Sequence, residues 1–249
     1  MTTPLALISD VHGNFPAFCA VLAEIERLGI QRIISLGDTV GYGPQPVECL
    51  EMAIDACHVM LMGNHELRVL DPSKTRMNRT AALASDWTRD QLEQAHLIPI
   101  LKTLPKHYQE DELLFVHGTP KDTLRDYLME QDYMGYSNFD KIVQSLEEDF
   151  KNFRLCFVGH NHLPFLATED GFIHPHDGQR QFQLEDRKLY VSVGSVGQPR
   201  DRDPRASFVT YDGESVQFHR VSYDIEATRA KFLVTDLPEY LSNRLLEGR

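Results

Sequence analysis

Several features that would place a protein in a class at once are missing from this 249-residue chain. Its four cysteines form no CxxC pair, which argues against a disulfide framework or a thiolate zinc site. Its formal charge is -12, so it lacks the basic surplus with which nucleic-acid and membrane-surface binders neutralise phosphates over a large area. It also lacks the run of about 18 apolar residues that crosses a bilayer. These absences favour a cytoplasmic protein with buried thiols, without a membrane segment or an extended nucleic-acid surface.

The composition is that of a globular protein with one sizeable core, because 42% of its residues are apolar. The opening stretch MTTPLALIS has no basic region before its apolar part, so we expect a first strand there rather than a signal peptide. There is no internal repeat, no low-complexity tract and no linker long enough to divide the chain. We predict a single domain over residues 1–249, with a helical insertion around 67–105.

The first third of the chain alternates short apolar runs with helical spacing. Apolar runs at PLALIS, Arg32–Leu36 and His58–Met62 predict strands, and Pro16, just after Asn14, begins a helical segment that Gly29 ends. The alternation predicts a βαβαβ unit and therefore a parallel sheet.

The remainder of the chain mixes helical and strand patterns. Helical spacing at Thr75–Ala95 and Asp140–Phe150 predicts two further helices, and the runs LLFVHG and LCFVGHNH predict strands. Three strand-like segments near the C-terminus, LYVSVGS, ASFVTYD and SVQFHRVSY, lie close together in sequence. We expect antiparallel pairing among these three.

Each predicted strand up to LCFVGHNH is followed by a side chain that can bind a metal ion. In chain order these strand-end residues are Asp10, His12, Asp38, Asn64, His65, His117, His160 and His162. The carboxyl ends of parallel strands share one edge of a sheet, so these side chains converge there. Oxygen and imidazole donors without a thiolate suit Mn, Fe, Zn or related divalent ions, and two carboxylates leave two such ions with net positive charge. The pattern predicts a two-metal hydrolase that binds phosphate.

The motifs Asp10-x-His12, Gly37-Asp38, Gly63-Asn64-His65-Glu66, His117 and Gly159-His160-x-His162 occur in that order. Their set resembles that of the calcineurin-like metallophosphoesterases, especially the small bacterial and archaeal phosphodiesterase-like members. The resemblance implies an α/β fold: a four-layer α-β-β-α sandwich of two mixed β-sheets flanked by helices.

The resemblance also implies a role for each strand-end residue. Two groups of ligands are implied, with Asp38 bridging them: Asp10, His12 and His162 for one ion, and Asn64, His117 and His160 for the other. The implied cofactors are two divalent ions, with Mn favoured over Fe, Zn, Ni and Mg. Because residues two apart on extended backbone face the same side, we expect His160 and His162 to reach adjacent ions from an extended segment.

In the same resemblance, His65 protonates or stabilises the leaving oxygen without binding metal. The implied reaction is an in-line attack of a metal-bridging hydroxide on phosphorus, with no covalent intermediate on the enzyme. The protein Ser/Thr phosphatase and diadenosine tetraphosphatase branch has an Asp-Arg-Gly element after its Gly-Asp, and this chain has Gly41-Tyr42-Gly43 instead. The carboxylate that would orient His65 and the arginine that would grip phosphate are therefore missing from that position.

Residues near these motifs are candidates for substrate binding. Arg200 in GQPRDRDPR could supply the missing guanidinium, with Arg202 as the alternative and a surface loop of paired charges as the other interpretation. Tyr42 and Asn14 adjoin ligand motifs and are predicted to line the substrate pocket, although Gly41 and Gly43 suit a simple turn equally well.

The function favoured by this pattern is a phosphodiesterase that acts on small phosphate esters or nucleotides. One alternative, favoured by Glu66 in GNHE, is a phosphomonoesterase acting on phosphoproteins or a dinucleoside tetraphosphatase. The second alternative is a non-catalytic metal-binding scaffold, which the complete ligand set disfavours. The oligomeric state cannot be predicted from the sequence.

Overall fold

The computed structural model describes residues 3–130 and 152–249. The helix predicted at Asp140–Phe150 lies outside the described residues. The described strands are β1 Leu5–Ile8, β2 Arg32–Ser35, β3 Val59–Met60, β4 His107–Glu110, β5 Leu113–Val116, β6 Leu155–Val158, β7 Pro164–Thr168, β8 Gly171–Ile173, β9 Gln181–Gln183, β10 Leu189–Val193, β11 Ala206–Tyr211 and β12 Ser215–Val221. The described helices are α1 Phe15–Arg27, α2 Pro46–Ala56, α3 Asn64–Leu70, α4 Arg79–Gln94, α5 Ile98–Leu101, α6 Ile225–Phe232 and α7 Glu239–Asn243, followed by a 3-10 turn at Arg244–Glu247.

The first sheet has the strand order β3-β2-β1-β11-β12-β9. β1 runs parallel to β2 and antiparallel to β11, so the sheet is mixed, and its β1-α1-β2-α2-β3 half is the parallel unit that the sequence predicts. Side chains alternate between the two faces of β1: Leu5 and Leu7 enter the core between the sheets, whereas Ala6 and Ile8 pack against α1. The all-apolar LALI run is thus buried on both faces.

The second sheet has the order β4-β5-β6-β10-β7-β8. β6 lies between β5 and β10 and is parallel to both. Leu155 and Phe157 of β6 face the first sheet, where Phe157 stacks on Phe115 with ring centroids 5.3 Å apart. Cys156 and Val158 face the opposite side. The two mixed sheets therefore enclose one core and are flanked by helices, as expected.

Two predictions about strands need correction. The run His58–Met62 forms only the two-residue strand β3, because the Met62 N–H donates to the Pro105 carbonyl oxygen (2.8 Å) and the chain then turns into α3. The three C-terminal segments do not all pair with one another. β11 and β12 pair antiparallel in the first sheet, but β10, which is buried throughout, lies in the second sheet between β6 and β7.

Helix ends follow local sequence signals. The Asn14 side chain accepts a hydrogen bond from the Ala17 N–H and caps α1, and Pro16 occupies the first turn. In the segment predicted as helical at Thr75–Ala95, α4 begins only at Arg79, where Asn78 caps it. None of the helices within the described ranges has the length and hydropathy needed to cross a membrane.

Candidate metal centre

The loops that follow five strands meet at one end of the sandwich. The loops after β1 and β2 are joined by backbone hydrogen bonds, from Asp10 N–H to Gly37 O and from His12 N–H to Asp38 O (both 3.0 Å). The His160 N–H after β6 donates to Asp10 Oδ2 (3.0 Å), which links the second sheet to the first. These hydrogen bonds, each donated by a backbone N–H group, bring together the side chains that are predicted to bind metal.

The first group of side chains consists of Asp10, His12 and His162. His162 Nε2 lies 3.1 Å from His12 Nε2 and 3.2 Å from Asp10 Oδ1, and His12 Nε2 lies 3.6 Å from the same oxygen. Two ligands at ~2.1 Å from one ion lie roughly 3.0–3.4 Å apart at octahedral or tetrahedral angles. The spacing of these atoms thus suits a single ion.

The second group consists of Asn64, His117 and His160. His117 Nε2 lies 3.0 Å from Asn64 Oδ1 and 3.1 Å from His160 Nδ1. Asp38 lies between the groups, because its Oδ2 is 3.3 Å from His117 Nε2 and 3.8 Å from His12 Nε2. The structure therefore places His160 and His162 in different groups and Asp38 next to both.

The outward ring nitrogen of each histidine faces a backbone carbonyl oxygen. His12 Nδ1–H can donate to Val40 O (3.2 Å), and His117 Nδ1–H to Leu36 O (3.2 Å). His162 Nδ1–H can donate to Gln198 O (2.6 Å), and His160 Nε2–H to Arg125 O (3.3 Å). Such bonds fix the tautomer and leave the other nitrogen as a lone-pair acceptor.

That tautomer is the strongest indication of metal binding. The facing nitrogens of His12 and His162 then point lone pairs at each other across 3.1 Å and cannot hydrogen bond, and those of His117 and His160 do the same when His117 is neutral. The buried Asp10 Oδ1 beside them also has no hydrogen-bond partner among the described residues. A cation in each group would satisfy all of these atoms, so the residues present fit a divalent ion.

The protonation states agree with this fit. Burial lowers the pKa of His160 and of His162 to about 3, so both imidazoles are neutral at neutral pH. Burial opposes ionisation of Asp10, but its interactions with His162, His12 and His117 outweigh it and hold the pKa of Asp10 well below its usual value. Burial likewise disfavours a charged His117, yet Asp38 raises the pKa of His117 to about 9. The centre therefore attracts positive charge.

The backbone at these residues is left-handed, which is unusual for residues other than glycine. Asp10, His12 and Asp38 have φ values of 54°, 49° and 53°, and His160 and His162 have 66° and 63°. The expectation that His160 and His162 share an extended segment is therefore wrong. β6 ends at Val158, and two tight turns beyond it direct the rings apart into separate groups.

Glu66 is a buried residue whose contribution the motif alone did not reveal. Its Oε2 accepts hydrogen bonds from the Asp38 and Gly63 N–H groups (2.9 and 2.8 Å), and its Oε1 accepts one from the Val40 N–H (3.1 Å). One carboxylate thus ties the loop that carries Asp38 to the start of α3. The sequence signal that could have found it is the position of Glu66 three residues after Gly63, from which a glutamate reaches back to the N–H group before the helix, as in one half of a capping box.

His65, the predicted catalytic residue, is 3% exposed and packs between His12 and Tyr42, with ring centroids 4.7 and 4.5 Å away. Its Nδ1 has no hydrogen-bond partner among the described residues, in agreement with the missing Asp-Arg-Gly carboxylate. A Cβ at position 41 would lie 2.2 Å from this Nδ1, and Gly41 has φ +91°. Only glycine at position 41 leaves room for the ring.

A cavity of about 410 Å³ opens onto the metal centre. Tyr42 and Arg200, both predicted to bind substrate, line it, whereas Arg202 and Asn14 are not among the described lining residues. The Asn14 side chain is instead bonded to Gly197 O (2.9 Å), Tyr223 Oη (3.1 Å) and Thr228 Oγ1 (2.8 Å).

The sequence did not indicate the rim of this cavity. The rim consists of Lys74, Thr75, Arg76, Arg125 and Tyr127, which come from the segment before α4 and the loop after β5. Four of these five residues are exposed, and only Thr75 is buried.

A sandwich of two mixed sheets whose strand ends bring imidazole and carboxylate groups together beside a cavity is typical of the metallophosphoesterase class of hydrolases. The family model described as calcineurin-like phosphoesterase matches residues 3–188, and the chain belongs to that family.

Similar proteins are found in archaea and in a bacterium. The chain is 36% identical over 253 residues to an uncharacterized protein of Methanocaldococcus jannaschii, and the match covers 98% of each chain. It is also 36% identical to a metallophosphoesterase of Sphaerobacter thermophilus of known structure, with a TM-score of 0.83 and coverage of 99% of this chain and 100% of the other. A hypothetical protein of Pyrococcus horikoshii shares the fold, at 21% identity, a TM-score of 0.79 and coverage of 99% and 98%.

Proposed function

We propose that this protein is a binuclear metal-dependent phosphodiesterase of small phosphate esters or nucleotides, with Mn²⁺ as the favoured ion. The observation that carries the proposal is the pair of ligand groups whose lone pairs face one another on either side of Asp38. A cytoplasmic location is part of the proposal, and the four free cysteines support it.

In this proposal Asp10, His12 and His162 would hold one ion, Asn64, His117 and His160 would hold the other, and Asp38 would contribute to both. Two divalent ions bound by these residues would supply Lewis acidity toward phosphoryl oxygens and lower the pKa of water. Backbone carbonyl oxygens accept hydrogen bonds from the outward ring nitrogens of the four imidazoles, so the lone pairs of the other ring nitrogens are directed into the site. The site is therefore organised before substrate binds, which removes reorganisation from the reaction step.

Two other residues act on the substrate. Arg200 offers a guanidinium on the cavity wall, where a planar fork can bind two phosphoryl oxygens. His65 lines the same cavity, and because its Nδ1 is turned toward Gly41, its Nε2–H is the group that would protonate or hydrogen bond to the leaving oxygen. A nearby donor lowers the barrier most when the leaving oxygen is strongly basic.

The replacement His65→Asn tests this assignment. We expect kcat for an alkyl phosphodiester to fall by about 10²–10⁴-fold, as for loss of a general acid, while bis(p-nitrophenyl) phosphate, whose leaving group needs no proton, is affected far less. Bound metal, measured by mass spectrometry of the purified protein, should be unchanged. His58→Asn, at an exposed histidine, is the matched control. Equal losses for both substrates, or full activity, would disprove the role of His65.

A phosphomonoesterase is the second candidate, and Glu66 in the GNHE motif favours it. A curated relative named serine/threonine-protein phosphatase 2, of Escherichia coli, is 24% identical over 199 residues, with coverage of 78% of this chain and 88% of the relative. Rates on p-nitrophenyl phosphate, bis(p-nitrophenyl) phosphate and an asymmetric dinucleoside tetraphosphate separate the candidates. Preference for the monoester would refute the diesterase, and a metal-loaded protein inert toward all three would indicate a scaffold.

A further inference from the structure

The cavity wall is positively charged although the chain is acidic. The described lining residues include four cations, Lys74, Arg76, Arg125 and Arg200, but a single carboxylate, that of Asp38. The whole chain has 37 acidic and 25 basic residues, so a wall of average composition would carry more acids than bases. This reversal of charge favours the entry of anions.

Two of the four cations are available to a ligand. Arg125 is paired with Asp122 (Nε to Oδ2, 2.9 Å), and Arg200 donates to Gln198 Oε1 (2.9 Å). Lys74 and Arg76 are exposed, and neither forms an ion pair within residues 3–130 and 152–249. They lie two residues apart in the same segment of the rim, next to open cavity.

Between them lies a buried hydroxyl without a partner. Thr75 lines the cavity and is 7% exposed, and its Oγ1 has no hydrogen-bond partner among the described residues. A buried hydroxyl usually finds an acceptor, because leaving it unpaired costs free energy. An anionic oxygen in the cavity would accept its hydrogen.

The start of α4 adds to the same side of the cavity. Asn78, which caps this 16-residue helix, and Ala81 in its first turn both line the wall. The first turn contains no acidic side chain. The partial positive charge of the helix N-terminus is therefore directed at the cavity without an internal counter-charge.

We infer that Lys74, Thr75, Arg76 and the start of α4 form a subsite for a second phosphate group of the substrate. The preferred substrates are small phosphate esters that carry at least one phosphate in addition to the scissile one, such as nucleotide bisphosphates or polyphosphates. The cavity volume of about 410 Å³ suits a ligand of that size. This inference rests on the proposed function, since the metal centre and Arg200 hold the scissile group.

A matched pair of substrates tests the inference. The p-nitrophenyl ester of thymidine 5′-phosphate and its 3′-phosphorylated form release the same p-nitrophenol and differ only in the second phosphate. For the Mn²⁺-loaded enzyme we expect kcat/KM to be about tenfold higher for the 3′-phosphorylated ester, mainly through KM, as charge-assisted hydrogen bonds predict. Calorimetric titration with thymidine 3′,5′-bisphosphate and with thymidine 5′-phosphate should give the same ratio in Kd without turnover.

Two variants localise the effect. Lys74→Gln combined with Arg76→Gln, and separately the nearly isosteric Thr75→Val, should each reduce both ratios toward one. Lys102→Gln, at an exposed cation outside the subsite that is not among the described lining residues, should leave them unchanged. High salt should weaken the preference of the unaltered enzyme.

The outcomes separate the two proposals. Cleavage of both esters with equal kcat/KM and equal affinity for both nucleotides would overturn the subsite but leave the diesterase intact. A preference that survives in both rim variants would also overturn it. If neither ester is cleaved, the proposed function fails, and tighter binding of the bisphosphate that depends on Lys74 and Arg76 would still support an anion subsite.

Discussion

The metal centre and the rim belong to one cavity but are built in opposite ways. In the centre, Asp10 and His117 are fully buried, and even Asn64 is only 7% exposed. The imidazoles there are held by backbone carbonyls and the loops by mutual hydrogen bonds. In the rim, Lys74 and Arg76 are exposed and form no ion pair with any described residue. In our proposal, the groups that carry the chemistry are therefore held by the fold, whereas substrate selection depends on side chains that solvent also reaches.

The substitution Asp38→Asn tests the metal centre most directly. Asp38 is adjacent to both ligand groups, and its Oδ1 also accepts a hydrogen bond from the His65 N–H (2.8 Å), so one substitution affects both groups and the position of His65, the predicted catalytic residue. We expect an activity loss larger than the ~10–100-fold caused by removing an outer partner of a metal ligand. Metal content by mass spectrometry should fall with the activity.

The matched control for that substitution is Asp55→Asn, at an exposed residue of α2. It should keep both metal content and kcat. If the Asp38→Asn enzyme retained its metal and most of its turnover, Asp38 would not be the bridging ligand that we propose.

The next effect in size concerns Glu66→Gln. The amide keeps the shape but offers one acceptor oxygen to three N–H groups and directs an NH₂ at donors, so the Asp38 loop loosens. We expect metal affinity to fall by about 10–100-fold, with kcat largely recovered at saturating Mn²⁺. Recovery by metal distinguishes positioning from a general loss of stability. Glu51→Gln, at an exposed position of α2, should change neither quantity.

The same contrast explains which features could be predicted from sequence. Asp10, His12, Asp38, His117 and His160 follow apolar runs, and a parallel sheet gathers strand ends at one edge whatever the details of the loops. The left-handed backbone conformations of His160 and His162 could not be predicted, because such conformations are typical of glycine and are unusual for histidine.

The rim could not be predicted in the same way. Thr75 and Tyr127 are 52 positions apart with no spacing rule to connect them, and only tertiary packing brings them to one cavity. Asn14 was misread for a related reason, since an Asn before a helix caps it as readily as it binds a ligand, and here it caps α1. Similarly, β10 was predicted beside β11 because sequence neighbours often pair, but it lies in the other sheet, and its apolar pattern does not distinguish it from β11, which is also buried on both faces.

Arg200→Lys probes the boundary between the two regions. Arg200 lines the cavity beside the centre, its Nε is buried without a partner among the described residues, and its guanidinium carbon lies 6.0 Å from the Tyr42 ring centroid. Lysine keeps the charge but loses the planar fork. We expect KM for phosphodiesters to rise by about tenfold, consistent with the loss of one charge-assisted hydrogen bond, while metal content stays constant. A fall in metal content would place Arg200 within the metal centre.

The smallest expected effect is that of Tyr127→Leu. The Tyr127 ring is 44% exposed and stacks on His160 with centroids 3.7 Å apart, so Tyr127 is a rim residue whose side chain contacts a predicted ligand. Because His160 is also fixed by the Arg125 carbonyl and by Asp10, loss of the stacking should leave its position unchanged. We therefore expect the main effect on substrate binding. An aromatic contact between Tyr127 and the base of a nucleotide ester is worth about 0.5–1.5 kcal/mol, so its loss should increase KM about two- to tenfold without loss of metal. If metal affinity instead fell as far as in Glu66→Gln, the rim would be part of the metal centre. The distinction between a buried centre that binds metal and an exposed rim that selects the substrate would then not hold.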